Sequence, residues 1–199
     1  MKHYFHPMSR GATTNWMLEE LDVPHEQIVI DFSAGETNSP EYRAINPMGK
    51  VPTLVDGDAV VTETAAICAY LADKFPEKGF APPPGSTDRG RYYRYLFVPG
   101  ITIEPLFSLN AIGISHPNPQ SAGWGDLSRV VDTMESMTPE VGWALGDRFT
   151  AADVVFGGML DISIQFGWLE KPSPRIKAYV ERIRERPAYR ATHPESWYQ

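Results

Sequence analysis

The sequence contains one cysteine among its 199 residues, Cys68, so no intrachain disulfide can form. It is also poor in basic residues: 18 lysines and arginines face 25 aspartates and glutamates, which gives a net charge of -7. Proteins that bind nucleic acid through its phosphates carry a basic stripe. The basic run at residues 175–190 is interleaved with Glu181 and Glu185 at helical spacing, so we interpret it as a solvated helix face. The composition therefore argues against a nucleic-acid partner.

Long apolar runs are absent as well. No stretch of the sequence approaches the ~20 apolar residues that a transmembrane helix requires. Residues 1–7 lack the apolar run of a secretory signal peptide. A single thiol fits a reducing compartment. We therefore expect a cytoplasmic protein without a membrane partner.

Residues 1–78 alternate between strand and helix signals. The Asp56-Gly57 pair supplies the positive φ angles that a tight hairpin turn requires. The order β-α-β-α-β-β-α predicts a small mixed sheet covered by helices. The predicted elements are strand 3–5, helix 10–22 with Ser9 as its N-cap, strand 27–30, helix 40–45, strands 52–55 and 59–62, and helix 63–75.

Strand signals nearly vanish in the second half of the chain. Residues 79–87 include three consecutive prolines and predict an interdomain linker. Thr150 and Asp153 have the spacing of a capping box at the start of an apolar helix. The other predicted helices are residues 90–114 with a bend at Pro99-Gly100, residues 121–145, and an amphipathic helix around residues 176–183. This pattern predicts an all-helical domain.

Two segments carry the chemistry: residues 46–54 read NPMGKVPTL, and residues 62–67 read TETAAI. Pro52 begins a strand, where its missing N–H does not interrupt the ladder. Glu63 and Thr64 begin a helix, whose unpaired N–H groups and dipole favour an anion. A free main-chain edge at Val51 beside this helix start suits a short acidic peptide in extended form.

These segments resemble the glutathione-site signature of the cytosolic glutathione S-transferases, an Asn-Pro-x-Gly-x-Val-Pro-x-Leu strand followed by a Glu-Ser-x-Ala-Ile helix start. Residues 146–153 also resemble the capping box in that family's second domain. The resemblance covers most of the chain. It implies a thioredoxin-like α/β domain (residues 1–78), a linker (79–87) and a C-terminal helical bundle (88–199). It also implies a homodimeric enzyme that uses glutathione as co-substrate, with a small hydrophobic electrophile and no metal.

Residue by residue, the resemblance implies definite roles. Val51 would pair its backbone with the cysteinyl unit of glutathione, and Pro52 would follow a cis peptide bond. Thr64, where the family usually has serine, would hold the γ-glutamyl carboxylate, and Glu63 would take the γ-glutamyl ammonium. Lys50 would meet the glycyl carboxylate. Each residue alone also fits a structural role as a helix cap, a surface charge or a strand start; the functional interpretation rests on their joint spacing.

A transferase of this family must keep the bound thiol ionised. Lowering a thiol pKa of ~8.5 by ~2 units requires about 2.7 kcal/mol of preferential anion stabilisation. Ser9 lies between the first strand and the first helix, where serine-type members of the family keep an activating hydroxyl; an ordinary N-cap is its alternative role. Arg10 would add positive potential if it faces the cleft. The absence of cysteine at both positions disfavours members with thiol-reductase activity.

The second substrate is expected against the first helix of the helical half, with Tyr92, Tyr95 and Leu96 as candidates. Packing in the core or at a dimer surface is their alternative role. The predicted reaction is attack of the thiolate on a small electrophilic carbon. Two alternatives remain open at this point: another glutathione-dependent reaction (an isomerase, ether-cleaving lyase or dehalogenase), or a non-enzymatic interaction module on the same fold.

Overall fold

The computed structural model describes residues 1–193, which form two compact units. The first unit comprises residues 1–78 together with residues 187–193, and the second comprises residues 79–186. The helices are α1 (Gly11–Leu21), α2 (Pro40–Ile45), α3 (Thr64–Lys74), α4 (Asp88–Val98), α5 (Glu104–Ala111), α6 (Leu127–Met137), α7 (Ala151–Gln165), α8 (Pro174–Arg184) and α9 (Pro187–Thr192). Short 3-10 turns lie at Glu36–Asn38 and Pro76–Lys78.

The first unit is built on a four-stranded sheet in the order β2-β1-β3-β4. Its strands are β1 (Lys2–Phe5), β2 (Glu26–Val29), β3 (Thr53–Asp56) and β4 (Ala59–Thr62). β1 runs parallel to β2 and antiparallel to β3, and β3 pairs antiparallel with β4. Gly57 has a φ of +59°, which confirms the predicted hairpin turn. The mixed sheet with its helices confirms the predicted thioredoxin-like architecture of this half.

Helix α1 is buried on more than one face. Its predicted inward residues are fully buried, as periodicity indicates: Thr14, Met17, Leu18 and Leu21. Trp16, on another face, is also fully buried and meets the ring of Tyr189 in α9 edge to face, with centroids 4.9 Å apart. Helix α9 therefore covers the side of α1 that the sheet leaves bare.

Helix α9 differs from the sequence-based expectation. The interpretation of the sequence ended the helices before Pro187 and assigned residues 88–199 to the helical half. Pro187 instead begins a further helix, a position that proline tolerates because its missing N–H needs no partner there. Residues 187–193 pack in the first unit. Residues 194–199 of the predicted domain lie outside the described residues.

The second unit is helical among its described residues, as expected. A π-helical turn at Pro99–Ile103 joins α4 to α5, so regular α-helix is interrupted at the Pro99-Gly100 position where the sequence predicts a bend. Helix α7 is buried on nearly every side. Helix α8 buries one stripe, as predicted: Ile176, Tyr179, Val180 and Ile183.

The predicted helix over residues 121–145 is wrong at both ends, because α6 spans only Leu127–Met137. The Asp126 carboxylate caps its start by accepting a hydrogen bond from the Arg129 N–H at 3.0 Å. Thr138 is extended, with φ −72° and ψ 122°, because it precedes Pro139 and proline disfavours helical backbone in the residue before it.

The capping box at the start of α7 is confirmed. The Thr150 hydroxyl accepts from the Ala152 N–H, and the Asp153 carboxylate accepts from the Thr150 N–H at 2.9 Å. Asp153 also accepts from the Ala144 N–H at 2.6 Å and from the Tyr179 hydroxyl at 2.7 Å. Burial raises the pKa of Asp153. One buried carboxylate thus joins α7, α8 and the segment before α7.

Candidate functional site

The strand register brings the predicted site residues to one edge of the sheet. Tyr4 near the end of β1 lies opposite Thr53 at the start of β3, and Thr53 lies opposite Thr62 at the end of β4. The chain after β1, before β3 and after β4 therefore emerges at the same edge. We call this the site edge; it carries Ser9, Arg10, Lys50, Val51, Pro52, Glu63 and Thr64.

The main chain at Val51 is open to a ligand. The Val51–Pro52 peptide bond is cis, which confirms the prediction for Pro52. Val51 is partly exposed, and within residues 1–193 neither its N–H nor its C=O has a hydrogen-bond partner. An extended peptide can pair with such an edge as an added strand would.

The carbonyl of Lys50, next to this open edge, is held from the interior. It accepts hydrogen bonds from the Tyr42 hydroxyl at 2.6 Å and from the Asn46 side-chain amide at 2.8 Å. The Thr53 hydroxyl completes a buried group with these two side chains. We call Tyr42, Asn46 and Thr53 the carbonyl cluster. Asn46 and Thr53 lie in the sequence motif, but the sequence analysis gave them no role. It missed Tyr42, which reaches Lys50 only because α2 folds back toward β3.

The N-terminus of α3 is also open. Its first helical hydrogen bond runs from the Ile67 N–H to the Glu63 carbonyl at 2.9 Å, so the N–H groups of the three preceding residues have no partner in the described part of the chain. Glu63 has a φ of 70° and a ψ of 127°, a conformation that L residues rarely adopt and that is concentrated at functional sites. The exposed Glu63 side chain makes no capping bond. An anion fits this helix end.

The Ser9 hydroxyl makes two hydrogen bonds within the turn between β1 and α1. Its hydroxyl donates to the His6 carbonyl at 2.6 Å and its oxygen accepts from the Gly11 N–H at 3.0 Å. The N-cap of α1 is Arg10, without a side-chain cap bond, so the predicted N-cap position of Ser9 is wrong by one residue. The hydroxyl nevertheless satisfies one of the free amides at the start of the helix.

Three charged side chains accompany these main-chain groups. The Arg10 guanidinium is near enough to Cys68 on α3 to lower the pKa of that thiol, although burial dominates and raises it to about 12. Lys50 and Glu63 are exposed, and neither makes an ion pair with another residue of the described chain. The site edge therefore offers both signs of charge to a ligand.

Two of the three electrophile candidates on α4 lie in the interior, and Tyr95 is half-buried. Tyr92 and Leu96 are fully buried, and the Tyr95 hydroxyl donates to the Met137 carbonyl at 2.7 Å. Their face of α4 packs against α7, where the Tyr95 and Phe156 rings lie 5.3 Å apart. The structure gives Tyr92 and Leu96 the core role that sequence analysis held as the alternative. The exposed aromatic residues of α4 are Tyr93 and Phe97.

Among residues 1–193, no group of three or more His, Cys, Asp or Glu side chains is placed to hold a metal ion. Nor does that part of the chain contain a helix with the length and apolar character needed to cross a membrane.

Comparison with known proteins identifies the family. The family model "Glutathione S-transferase, N-terminal domain" matches residues 1–73, and "Glutathione S-transferase, C-terminal domain" matches residues 125–191. Glutathione S-transferase 1 of Schizosaccharomyces pombe is 30% identical over 89% of this chain and 88% of that protein. Maleylacetoacetate isomerase of Pseudomonas aeruginosa is 28% identical, with 89% and 86% covered.

The fold agrees with these sequence matches. A glutathione transferase of Phanerochaete chrysosporium, solved in complex with oxidized glutathione, superposes with a TM-score of 0.80 and 26% identity over 98% of this chain and 94% of that one. Three findings agree. The two domain models match in order, a relative is 30% identical along most of its length, and the fold is shared. The chain belongs to the glutathione S-transferase family.

Proposed function

We propose that this protein is a glutathione transferase in which the site edge binds glutathione and Ser9 stabilises its thiolate. The relatives support a glutathione-dependent enzyme. The observation that carries the proposal is the pairing of two main-chain groups at one sheet edge that are open within residues 1–193: the backbone of Val51, without a partner there, and the uncapped N-terminus of α3. Together they match an extended peptide that ends in a carboxylate.

The charges of glutathione find counterparts along this edge. Its cysteinyl unit pairs with the N–H and C=O of Val51. Its γ-glutamyl carboxylate binds the Thr64 hydroxyl and the free N–H groups of α3, and its ammonium binds Glu63. Its glycyl carboxylate meets Lys50. The ligand thus places two carboxylates and one ammonium against a helix end, a lysine and a glutamate.

Ser9 would activate the thiol by changing its hydrogen-bond partner. Its hydroxyl now donates to the neutral His6 carbonyl, and on ligand binding it turns to the sulfur. Charge-assisted hydrogen bonds are about twice as strong as neutral ones, so this exchange favours the thiolate over the thiol. The positive charge of Arg10 acts in the same direction. The thiolate then attacks an electrophilic carbon: a C–S bond forms, and the leaving group departs with the electron pair of its broken bond.

A glutathione-dependent isomerase is the second candidate, favoured by the relative named maleylacetoacetate isomerase, which this chain matches over 86% of that protein's length. The same thiolate would add to a carbon–carbon double bond and leave again after rotation about the resulting single bond. Glutathione would be regenerated in that reaction, whereas a transferase consumes it. Measuring free thiol during turnover separates the two.

We also infer a homodimer and, because a single cysteine suits a reducing compartment, a cytoplasmic location. Tyr93, Phe97 and Ile101 recur at four-residue spacing along α4 and the π-helical turn, and they are 43%, 47% and 64% exposed. The Tyr93 and Phe97 rings lie 6.3 Å apart. An apolar strip of this kind suits a second copy of the chain. Light scattering tests the dimer: we expect a dimeric wild type and a monomeric Phe97→Lys. A wild type that is a monomer contradicts the inference.

The test of the proposed function compares Ser9→Ala with Ser136→Ala. Ser136 is a matched control because its hydroxyl also donates to a carbonyl three residues earlier, that of Thr133 at 3.0 Å, in the second unit. We expect the wild type to bind glutathione and to conjugate a general aromatic electrophile. Ser9→Ala should lose about 10- to 100-fold in turnover near neutral pH, with the pKa of the bound thiol raised by about 1–2 units.

Each outcome has a separate meaning. A wild type that neither binds glutathione nor turns over contradicts the proposed function. A Ser9→Ala variant with an unchanged thiol pKa, read from the thiolate absorbance as pH is varied, removes Ser9 from the mechanism and leaves the binding site in place. A loss in Ser136→Ala equal to that in Ser9→Ala also removes Ser9.

A further inference from the structure

The peptide unit between Lys50 and Val51 links the interior to the site edge. It is trans, because the cis bond of this segment is the one that follows it. In a planar trans peptide the C=O and the N–H point in opposite directions. The Lys50 carbonyl points at the Tyr42 hydroxyl and the Asn46 amide, which are both buried. The Val51 N–H therefore points away from the carbonyl cluster.

The carbonyl cluster restricts rotation of this peptide unit, because the side-chain hydrogens of the cluster already have acceptors. The Tyr42 hydroxyl gives its one hydrogen to Lys50, so at 3.0 Å it accepts from the Thr53 hydroxyl. One hydrogen of the Asn46 amide goes to Lys50 and the other to the Thr53 oxygen at 3.1 Å. The Asn46 carbonyl oxygen accepts from the Met48 N–H at 3.1 Å. Turning the peptide unit over would break two bonds to buried donors.

Tyr42 is suited to be a permanent donor. Burial raises the pKa of its phenol, so the hydroxyl keeps its proton throughout the neutral range. The Ser39 side chain caps α2 by accepting from the Tyr42 N–H at 3.1 Å, which fixes the backbone that carries the ring. The ring itself lies 5.8 Å from that of Tyr4 in β1.

We propose that Tyr42 is a positioning residue for glutathione: by holding the Lys50 carbonyl, it aims the Val51 N–H at the cysteinyl carbonyl of the ligand. A hydrogen bond accepted by an amide oxygen also polarises the N–H of the same amide, which makes it a better donor. This inference rests on the proposed function of the site edge. It assigns a role to a residue that lies outside both sequence motifs and that acts through Lys50 and Val51.

The test is Tyr42→Phe, which removes the hydroxyl and keeps the ring. Tyr70→Phe is the matched control, because the Tyr70 hydroxyl donates to Asp56 at 2.7 Å at the opposite end of β3. We expect Tyr42→Phe to raise the KM for glutathione, and the Kd for S-methylglutathione, by about 5- to 15-fold. The kcat at saturating glutathione and the KM for the electrophile stay within about 2-fold, since the chemical step is untouched. Tyr70→Phe leaves all four constants unchanged.

A truncated ligand separates positioning from general destabilisation. γ-Glutamylethylamide keeps the γ-glutamyl group and the following N–H but has no cysteinyl carbonyl for Val51 to bind. We expect its inhibition constant to be the same for wild type and Tyr42→Phe. If Tyr42→Phe is too unstable to assay, Asn46→Ala removes the other side chain that donates to the Lys50 carbonyl and should show the same ligand-specific loss.

The results that overturn the inference differ from those that overturn the proposed function. An unchanged KM for glutathione in Tyr42→Phe, or equal losses for glutathione and γ-glutamylethylamide, refutes the role of Tyr42 while glutathione binding by the wild type stands. A wild type that does not bind S-methylglutathione refutes the proposed function, and the inference with it.

Discussion

The hydroxyl oxygen of Ser9 accepts a hydrogen bond from the N–H of Gly11 at 3.0 Å. The turn that makes this contact has no room for a larger residue. A β-carbon on Gly11 would lie 2.7 Å from the Phe5 β-carbon and 3.0 Å from the Ser9 oxygen. The Phe5 β-carbon is fixed to the backbone of a central strand and cannot move aside. Glycine at this position therefore sets the place of the Ser9 hydroxyl.

Gly11→Ala should consequently destabilise the fold and displace Ser9. Forcing a methyl group into a packed site costs roughly 1–3 kcal/mol. The control is Gly90→Ala in α4, where a β-carbon meets no atom of the described residues within 4 Å, so helix propensity should add about 0.5–1 kcal/mol of stability. Urea unfolding gives both values, and thiolate absorbance should show a raised thiol pKa in Gly11→Ala alone. Equal stability of the two variants would contradict the steric account.

Thr64 should contribute to affinity through its hydroxyl and not through its shape. Thr64→Val keeps the volume and removes a hydrogen bond to a charged carboxylate, which typically contributes about 1.5–3 kcal/mol. We expect the KM for glutathione to rise by about 10- to 150-fold. Thr64→Ser should bind nearly as well as the wild type. Thr62→Val, two residues earlier at the end of β4, serves as the control, and a comparable loss there would count against the assignment.

His3 should make the fold sensitive to acid. Its ring is fully buried, with Nε2 2.7 Å from the Thr14 hydroxyl oxygen. That hydroxyl donates to the Gly11 carbonyl, so Nε2 carries the proton of the neutral ring. Burial, followed by the charge of His25, lowers the pKa of His3 from 6.5 to about 3.

Because the folded pKa is lowered, this part of the stability is present above pH 6.5 and is lost as pH falls toward about 3. Between these values the unfolded chain binds the extra proton, at about 1.4 kcal/mol per pH unit. His3→Gln keeps an N–H donor and removes the titration. Urea unfolding at a series of pH values should therefore give a flatter acid limb for His3→Gln than for the control His116→Gln, a partly exposed histidine. Parallel curves for the two variants would refute the prediction.

Cys68 should be chemically silent in the native protein. It is fully buried, and burial raises its pKa to about 12, so the reactive thiolate is scarce. We expect no reaction of the native protein with a disulfide reagent and about one equivalent of reacted thiol after denaturation, since one cysteine is present. Rapid labelling of native protein would show that the α3 core opens.

Sequence pattern predicted much of this structure, because many of its features depend on residues that are close together in the chain. The stripe on α8 follows from helical spacing, and the Thr150–Asp153 box from the needs of a helix start. The two motifs of the site edge were recognisable because a proline-led strand and an uncapped helix start are features of the chain itself. The predicted end of α6 failed where the helical pattern was extended past Pro139.

The missed features are contacts between distant parts of the chain. Trp16 gives no sign of its partner, since Tyr189 lies on a helix that periodicity near residue 187 did not reveal. Tyr42 reads as an ordinary residue of a short helix, and its hydroxyl acquires a role only when α2 and the start of β3 meet. Residue spacing predicts which face of a helix is buried, but it does not predict which distant segment packs against another face.

The packing of α9 against α1 also has a consequence for biosynthesis. The ribosome delivers residues 1–78 first, yet the segment that shields Trp16 is translated only after the entire second unit. During that interval the nascent chain displays an indole and its apolar surroundings, a surface that chaperones recognise and that invites aggregation. Excising the first unit as residues 1–78 would make this temporary exposure permanent.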